Sequence, residues 1–136
     1  IVIMKEKYIK NFFYLAGAVN ILGTLTLSRF FTNESLVQID PTIISSSGLI
    51  LIIVWGLAFI ATSNYYQKNR WVVGVFALEK TTYVAMWCYW YFTKDYTLKS
   101  LFDLDFMTGF FYATFGLNDL LFLCFFCYVF FKKLDQ

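Results

Sequence analysis

Four continuous apolar stretches, residues 12–30, 43–62, 71–92 and 106–131, take up most of this chain of 136 residues. An α-helix rises 1.5 Å per residue, so about 20 residues cross the roughly 30 Å of a bilayer's hydrocarbon core, and each stretch is close to that length. None shows the apolar–polar alternation over about ten residues that marks a membrane β-strand. Composition agrees: 60% of the residues are hydrophobic and 15% charged, against about 45–50% and about 25% in soluble domains. A soluble fold of this size buries only part of its surface and could not hide so much apolar area. The expected fold is all-α: a single integral membrane domain spanning 1–136, a four-helix transmembrane bundle running up-down-up-down, with the lipid bilayer as its first partner.

The loops set the orientation. Lys5, Lys7 and Lys10, then Lys68 and Arg70, then Lys132 and Lys133 fall on one side; Arg29, Lys94 and Lys99 fall on the other, with Glu34, Asp40, Asp95, Asp103 and Asp105. Positive charge stays inside, which predicts both termini in the cytoplasm. Tyr65, Tyr66, Trp71, Trp90 and Tyr91 stand at span ends, where amphipathic rings favour the interface. Asp40-Pro41 is a natural stop before the second span, and residues 93–105 read as an amphipathic turn on the membrane surface. No cleavable leader stands out before the first span, and Met4 reads as the initiator, which sets Ile1, Val2 and Ile3 apart.

Several chemistries are disfavoured. The net charge is +2 and the basic residues form no continuous stripe, so a nucleic-acid partner is not expected. There is no histidine, and no metal site is expected. Cys124 and Cys127 have CxxC spacing but lie, like Cys88, inside an apolar stretch and read as packing residues. No cofactor is indicated.

What does stand out is a belt of polar residues near the middle of the spans: Asn20 in the first, Glu79 and Lys80 in the third, Asn118 and Asp119 in the fourth. A charged group at the bilayer centre costs about 2.5–3.5 kcal/mol even on the lenient insertion scale, so these side chains must point inward and pair. Glu79 and Lys80, being adjacent, point about 100° apart and cannot pair side by side. Spans three and four, joined by a short loop, are expected to be antiparallel neighbours, which brings Lys80 and Asp119 to one depth. Gly17, Gly23, Ala16 and Thr24 flank Asn20 as a small-residue face that allows close helix approach. Lys80 shares a face with Phe76, Tyr83 and Trp87; Asp119 shares one with Tyr112, Phe115, Gly116 and Phe122. Trp55, Tyr83, Trp87 and Tyr112 are expected to line an aromatic pocket beside the belt. The expected ligand-binding set is Asn20, Trp55, Glu79, Lys80, Tyr83, Trp87, Tyr112, Asn118 and Asp119. Two acids against one lysine leave an excess carboxyl, to be protonated or to meet a cation.

An offset of sixty residues aligns Trp55-Gly56-Leu57 with Phe115-Gly116-Leu117, as if the two span pairs were parallel copies. The strings YLAGAVNILG, SSGLILIIVWGLAFIA and VFALEKTTYVAMWCYW resemble uncharacterised small four-helix membrane proteins of bacteria, and in its four short spans the chain is similar to the DoxX-like proteins. That resemblance implies a bacterial inner (cytoplasmic) membrane and no assigned activity.

These features point to binding of a small apolar or cationic ligand, an ion or a proton at the belt. An accessory subunit packed against a larger membrane complex through its aromatic surface is an alternative, a homo-oligomer would favour a pore, and the plainest reading of the belt is that it only fixes helix register. A membrane enzyme using Glu79 or Asp119 as acid or base is a third reading, weakened by the lack of a visible nucleophile–base pair.

Overall fold

The computed structural model describes residues 4–132; the expectations placed on Ile1, Val2, Ile3 and Lys133 lie outside the described residues. Among these the chain is helical, with no strand. It begins with α1 (Glu6–Ala18), which passes through a π-helical turn (Val19–Gly23) into α2 (Thr24–Leu27). The short α3 (Glu34–Ile39) leads to α4 (Ser46–Thr62), then come α5 (Arg70–Thr93), the short α6 (Leu98–Leu104) and α7 (Phe106–Lys132).

The starts of these helices follow local chemistry. Asn33, Ser45 and Thr97 each accept a hydrogen bond from the backbone N–H three residues on, at 3.3, 3.0 and 3.2 Å. Asn69 accepts from Trp71 N at 3.1 Å, and Asp105 accepts from Thr108 N at 3.0 Å. Each short polar side chain thus satisfies one of the backbone donors that a helix leaves unpaired at its first turn.

The observed elements differ from the expected spans in ways the residues explain. The first helix stops at Leu27, not at residue 30, because Arg29, Phe30 and Phe31 take left-handed φ of 49°, 54° and 68°. Such values are costly for residues with a Cβ. They are held here by Phe30 N donating to Leu25 O and by Asn33 N donating to Ser28 O. The second helix begins at Ser46, because Asp40-Pro41 and the Ser45 cap delay it. The loop at 32–42 contains α3, and residues 93–105 contain α6.

By length and composition, one helix among those described, α7, is long and apolar enough to cross a membrane, with a mean hydropathy of 1.8. The expectation of four such helices is not met on that measure. The 17 residues of α4 span only about 26 Å at 1.5 Å each; the first helix is divided by its π turn; α5 carries Arg70, Glu79 and Lys80.

The helices pair as two hairpins, α1 with α4 and α5 with α7, each turning through a short helix at the same end of the molecule. The other end holds both ends of the described chain: Lys132 Nζ donates to Met4 O at 2.8 Å, and Met4 N donates to Tyr128 Oη at 2.9 Å. Two apolar cores fill the interior. The core at the terminal end is aromatic, built on Phe13, Phe59, Phe76, Phe122, Phe125 and Phe126. The core at the far end joins Leu36, Ile44, Leu49, Trp90, Leu101, Phe111 and Tyr112. Between them lies the polar belt.

Candidate functional site

Two glycines set the depth of Asn20. A Cβ on Gly17 would collide with Gly56 O and Ile60, and one on Gly56 would collide with Asn20 Cβ and Gly17 O. With hydrogen in both places, α1 and α4 approach backbone to backbone, as small residues allow in membrane helices. Asn20 Nδ2 then donates to Ile52 O of α4 at 3.1 Å. Asn20 itself sits on the π turn, whose extra residue shifts the register of the side chains beyond it. Such single-turn π segments recur at functional sites.

The second hairpin supplies the charges. Lys80 Nζ donates to Asp119 Oδ1 at 2.8 Å, joining α5 to α7, and lies 3.4 Å from Asn20 Oδ1 on the first hairpin. It stands 5.2 Å from the centroid of Phe59 and 6.0 Å from that of Phe122, so its underside rests on the aromatic core. Lys80 is 1% exposed, Asp119 7% and Glu79 8%. Glu79 Oε2 lies 3.9 Å from Lys80 Nζ and has no hydrogen-bond partner among the described residues. A buried polar atom without a partner is uncommon, because its desolvation goes uncompensated.

Next to this cluster is a cavity of about 290 Å³. Of the nine residues expected to form the site, six line it: Asn20, Glu79, Lys80, Tyr83, Asn118 and Asp119. The other three do not. Trp55 stands edge-on to Phe76 at 6.2 Å, at the margin of the aromatic core. The Trp87 ring lies over Gly116, which has no side chain to push it away, and its indole N–H donates to Tyr112 O at 2.7 Å. Tyr112 is fully buried; its hydroxyl donates to Leu36 O at 2.8 Å and accepts from Asp40 N at 3.2 Å, tying α3 to α7. These three rings are packing and bracing groups around the site.

The remaining wall comes from Val19, Gly23, Thr24, Leu27, Ile52, Phe110, Phe111, Thr114 and Phe115, which the sequence reading did not assign to the site. Helical spacing carried a signal for some of them. Thr114 and Phe111 precede Asn118 and Phe115 by four residues and so share their faces; Gly23 follows Asn20 by three.

Above the cavity the far end is locked by a second polar cluster. Asp105 pairs with Arg29, accepts from Asn33 Nδ2 at 3.0 Å and accepts from Thr108 Oγ1 at 2.8 Å. The Arg29 guanidinium, helped by the Thr108 and Asn33 donors, holds the Asp105 carboxyl well below the usual carboxylate range. Burial pushes the nearby Asp40 carboxyl up, partly offset by a backbone hydrogen bond at Thr42. Every group on Asp105 is paired, unlike Glu79, so this cluster is a clasp between the two hairpins. The chain matches no protein-family model, no curated protein and no solved structure.

Proposed function

We propose that the chain is a four-helix transmembrane bundle with both termini cytoplasmic, in a bacterial inner membrane, and that it binds a small ligand in the cavity between its hairpins. The observation that carries this reading is an inverted distribution of polarity. Leu78 is 67% exposed beside the buried Glu79, and Leu117 is 59% exposed two residues before the buried Asp119. Water would penalise every such leucine; lipid would not. Intramembrane ionisable groups are functional by default, and here one of them ends unpartnered at a cavity. The same-end placement of Met4 and Lys132 suits an even number of crossings.

Tagging both termini and measuring protease access in sealed vesicles tests the topology; opposite accessibility of the two ends overturns it. Native mass spectrometry of the protein released from detergent tests the binding. A small molecule retained at one copy per chain supports it. A foreign subunit at fixed stoichiometry favours instead an accessory role, with the exposed Trp71, Tyr89 and Phe92 as its contact surface.

A further inference from the structure

The cavity has a floor and a window. Its floor is the charged layer, and beneath that layer Phe59, Phe122 and Phe126 fill the bundle toward the terminal end. In the other direction the cavity runs between the first helix and α7 as far as Leu27 and Phe110. Phe110 is 44% exposed. Gly23, also in the wall, has open space where a side chain would stand: a Cβ there would meet nothing within 4 Å. Gly17 and Gly56 permit a close backbone contact, but Gly23 touches nothing. Glycine weakens a helix relative to alanine, and what it leaves at this position is an opening.

The floor is short of positive charge. One ammonium, Lys80, serves two carboxyls; it hydrogen-bonds Asp119, while Glu79 Oε2 is left without a donor among the described residues. The nearby wall is ring surface from Tyr83, Phe110, Phe111 and Phe115, which attracts cations through its π faces. The volume, about 290 Å³, lies at the low edge of the roughly 300–1,000 Å³ typical of small-molecule sites.

We infer that the cavity is a blind receptacle for a small organic ammonium, a single positive head on an apolar body, taken in past Gly23 and Phe110 and held by an N–H donated to the Glu79 carboxyl, which lines the cavity. This rests on the ligand-binding reading above and names its ligand class. The ammonium supplies the missing donor and the missing charge at once, and its apolar body covers the rings. The Phe-filled end beneath and the clasped end above make the site a dead end, so the protein receives its ligand through the opening between the first helix and α7 and does not conduct it through.

The test is binding to the intact protein in lipid nanodiscs, measured by equilibrium dialysis. The probes are 2-phenylethylammonium and its neutral counterpart 2-phenylethanol. The protein is expected to prefer the ammonium by about tenfold or more, the scale of a charge-assisted hydrogen bond. Glu79→Gln keeps the shape and is expected to abolish that preference. Gly23→Leu places a side chain in the opening and is expected to weaken both probes about tenfold with a thermal melt that is unchanged or raised. Equal affinity of Glu79→Gln for the ammonium overturns the inference, as does a wild-type protein that binds the alcohol as tightly. In the second case ligand binding itself stands and only the ligand class falls. Binding of neither probe also overturns the inference, and the retained mass in native spectrometry then decides the broader reading separately.

Discussion

Toward the chain termini, the space between the helices is filled by rings: Phe13 stacks on Tyr66 at 5.3 Å, and Phe59 meets Phe76 at 4.8 Å and Phe126 at 5.0 Å. Toward α3 and α6 the same helices leave a cavity of about 290 Å³. The sequences of the two halves differ accordingly. The first helix presents Phe12 and Phe13 in its first half but Asn20, Gly23 and Thr24 in its second. On α7 the order reverses with the chain direction, so that Thr114 and Asn118 precede Phe122, Phe125 and Phe126. A bundle can be sealed by large rings wherever nothing needs to enter. On these two helices the small and polar residues that line the cavity gather next to the charged layer, which separates a half packed by rings from one that also holds a cavity.

The boundary between the halves is where the largest effect is expected. Lys80→Met or Asp119→Leu alone leaves an uncompensated buried charge and should destabilise the folded protein by about 3–5 kcal/mol. The double substitution should recover part of that loss, read from thermal unfolding in detergent. Strictly additive losses would show that the 2.8 Å pair is not energetically coupled and that the boundary is not a single unit.

The halves themselves can be set against each other by one truncation in each. Phe126 is fully buried, and Phe126→Ala should cost about 3 kcal/mol through the void it leaves. Phe110→Ala, at a half-exposed wall of an existing cavity, should cost less than about 1 kcal/mol. Equal costs would mean that the far half is packed as tightly as the terminal half.

The clasp at the far end gives a smaller, pH-dependent effect. Asp105 titrates below its ordinary value of about 4. Its contribution to stability is therefore present above that pH and is lost as pH falls from there toward the depressed folded value. Asp105→Asn should destabilise by about 1 kcal/mol at pH 7, a modest figure because its partner Arg29 is half exposed and screened. The gap between variant and wild type should narrow steadily as pH falls below about 4. A gap that persists at low pH would assign the clasp to the Asn33 and Thr108 hydrogen bonds rather than to the charge on Asp105.

Much of this was legible from spacing and cost. The helical class followed from continuous apolar stretches, and the meeting of Lys80 with Asp119 followed from antiparallel neighbours with charges at equal depth. Placing the aromatic residues did not follow, because a chain with 17 Phe and 10 Tyr offers rings on every face. Trp87 and Tyr112 share faces with belt residues, yet Gly116 draws the Trp87 ring against α7 and Leu36 O draws the Tyr112 hydroxyl toward α3, and neither partner is visible in a local pattern. The left-handed run Arg29–Phe30–Phe31 was equally hidden, since none of the three residues favours that conformation and Ser28 and Asn33 impose it from outside. The π turn was hidden for a similar reason: its one-residue register shift leaves no mark in composition.

Two glycines on different helices, Gly56 on α4 and Gly23 at the end of the π turn, give the finest version of the comparison between a close-packed contact and an open one. At Gly56 a methyl group would collide with Asn20 Cβ and Gly17 O, so Gly56→Ala must push α1 and α4 apart and should cost about 1–3 kcal/mol by overpacking. At Gly23 a methyl group meets nothing within 4 Å. Gly23→Ala should therefore be neutral or stabilising, by up to about 1 kcal/mol, because alanine restricts the unfolded chain and favours the helix. The two alanine variants, compared by thermal unfolding in the same detergent, should thus move in opposite directions. A destabilising Gly23→Ala would show that the opening closes on itself in the folded protein, with α2 drawn further onto α7 than their present contact. A stabilised variant that also binds less 2-phenylethylammonium would show that the glycine keeps stability low for the sake of access to the cavity.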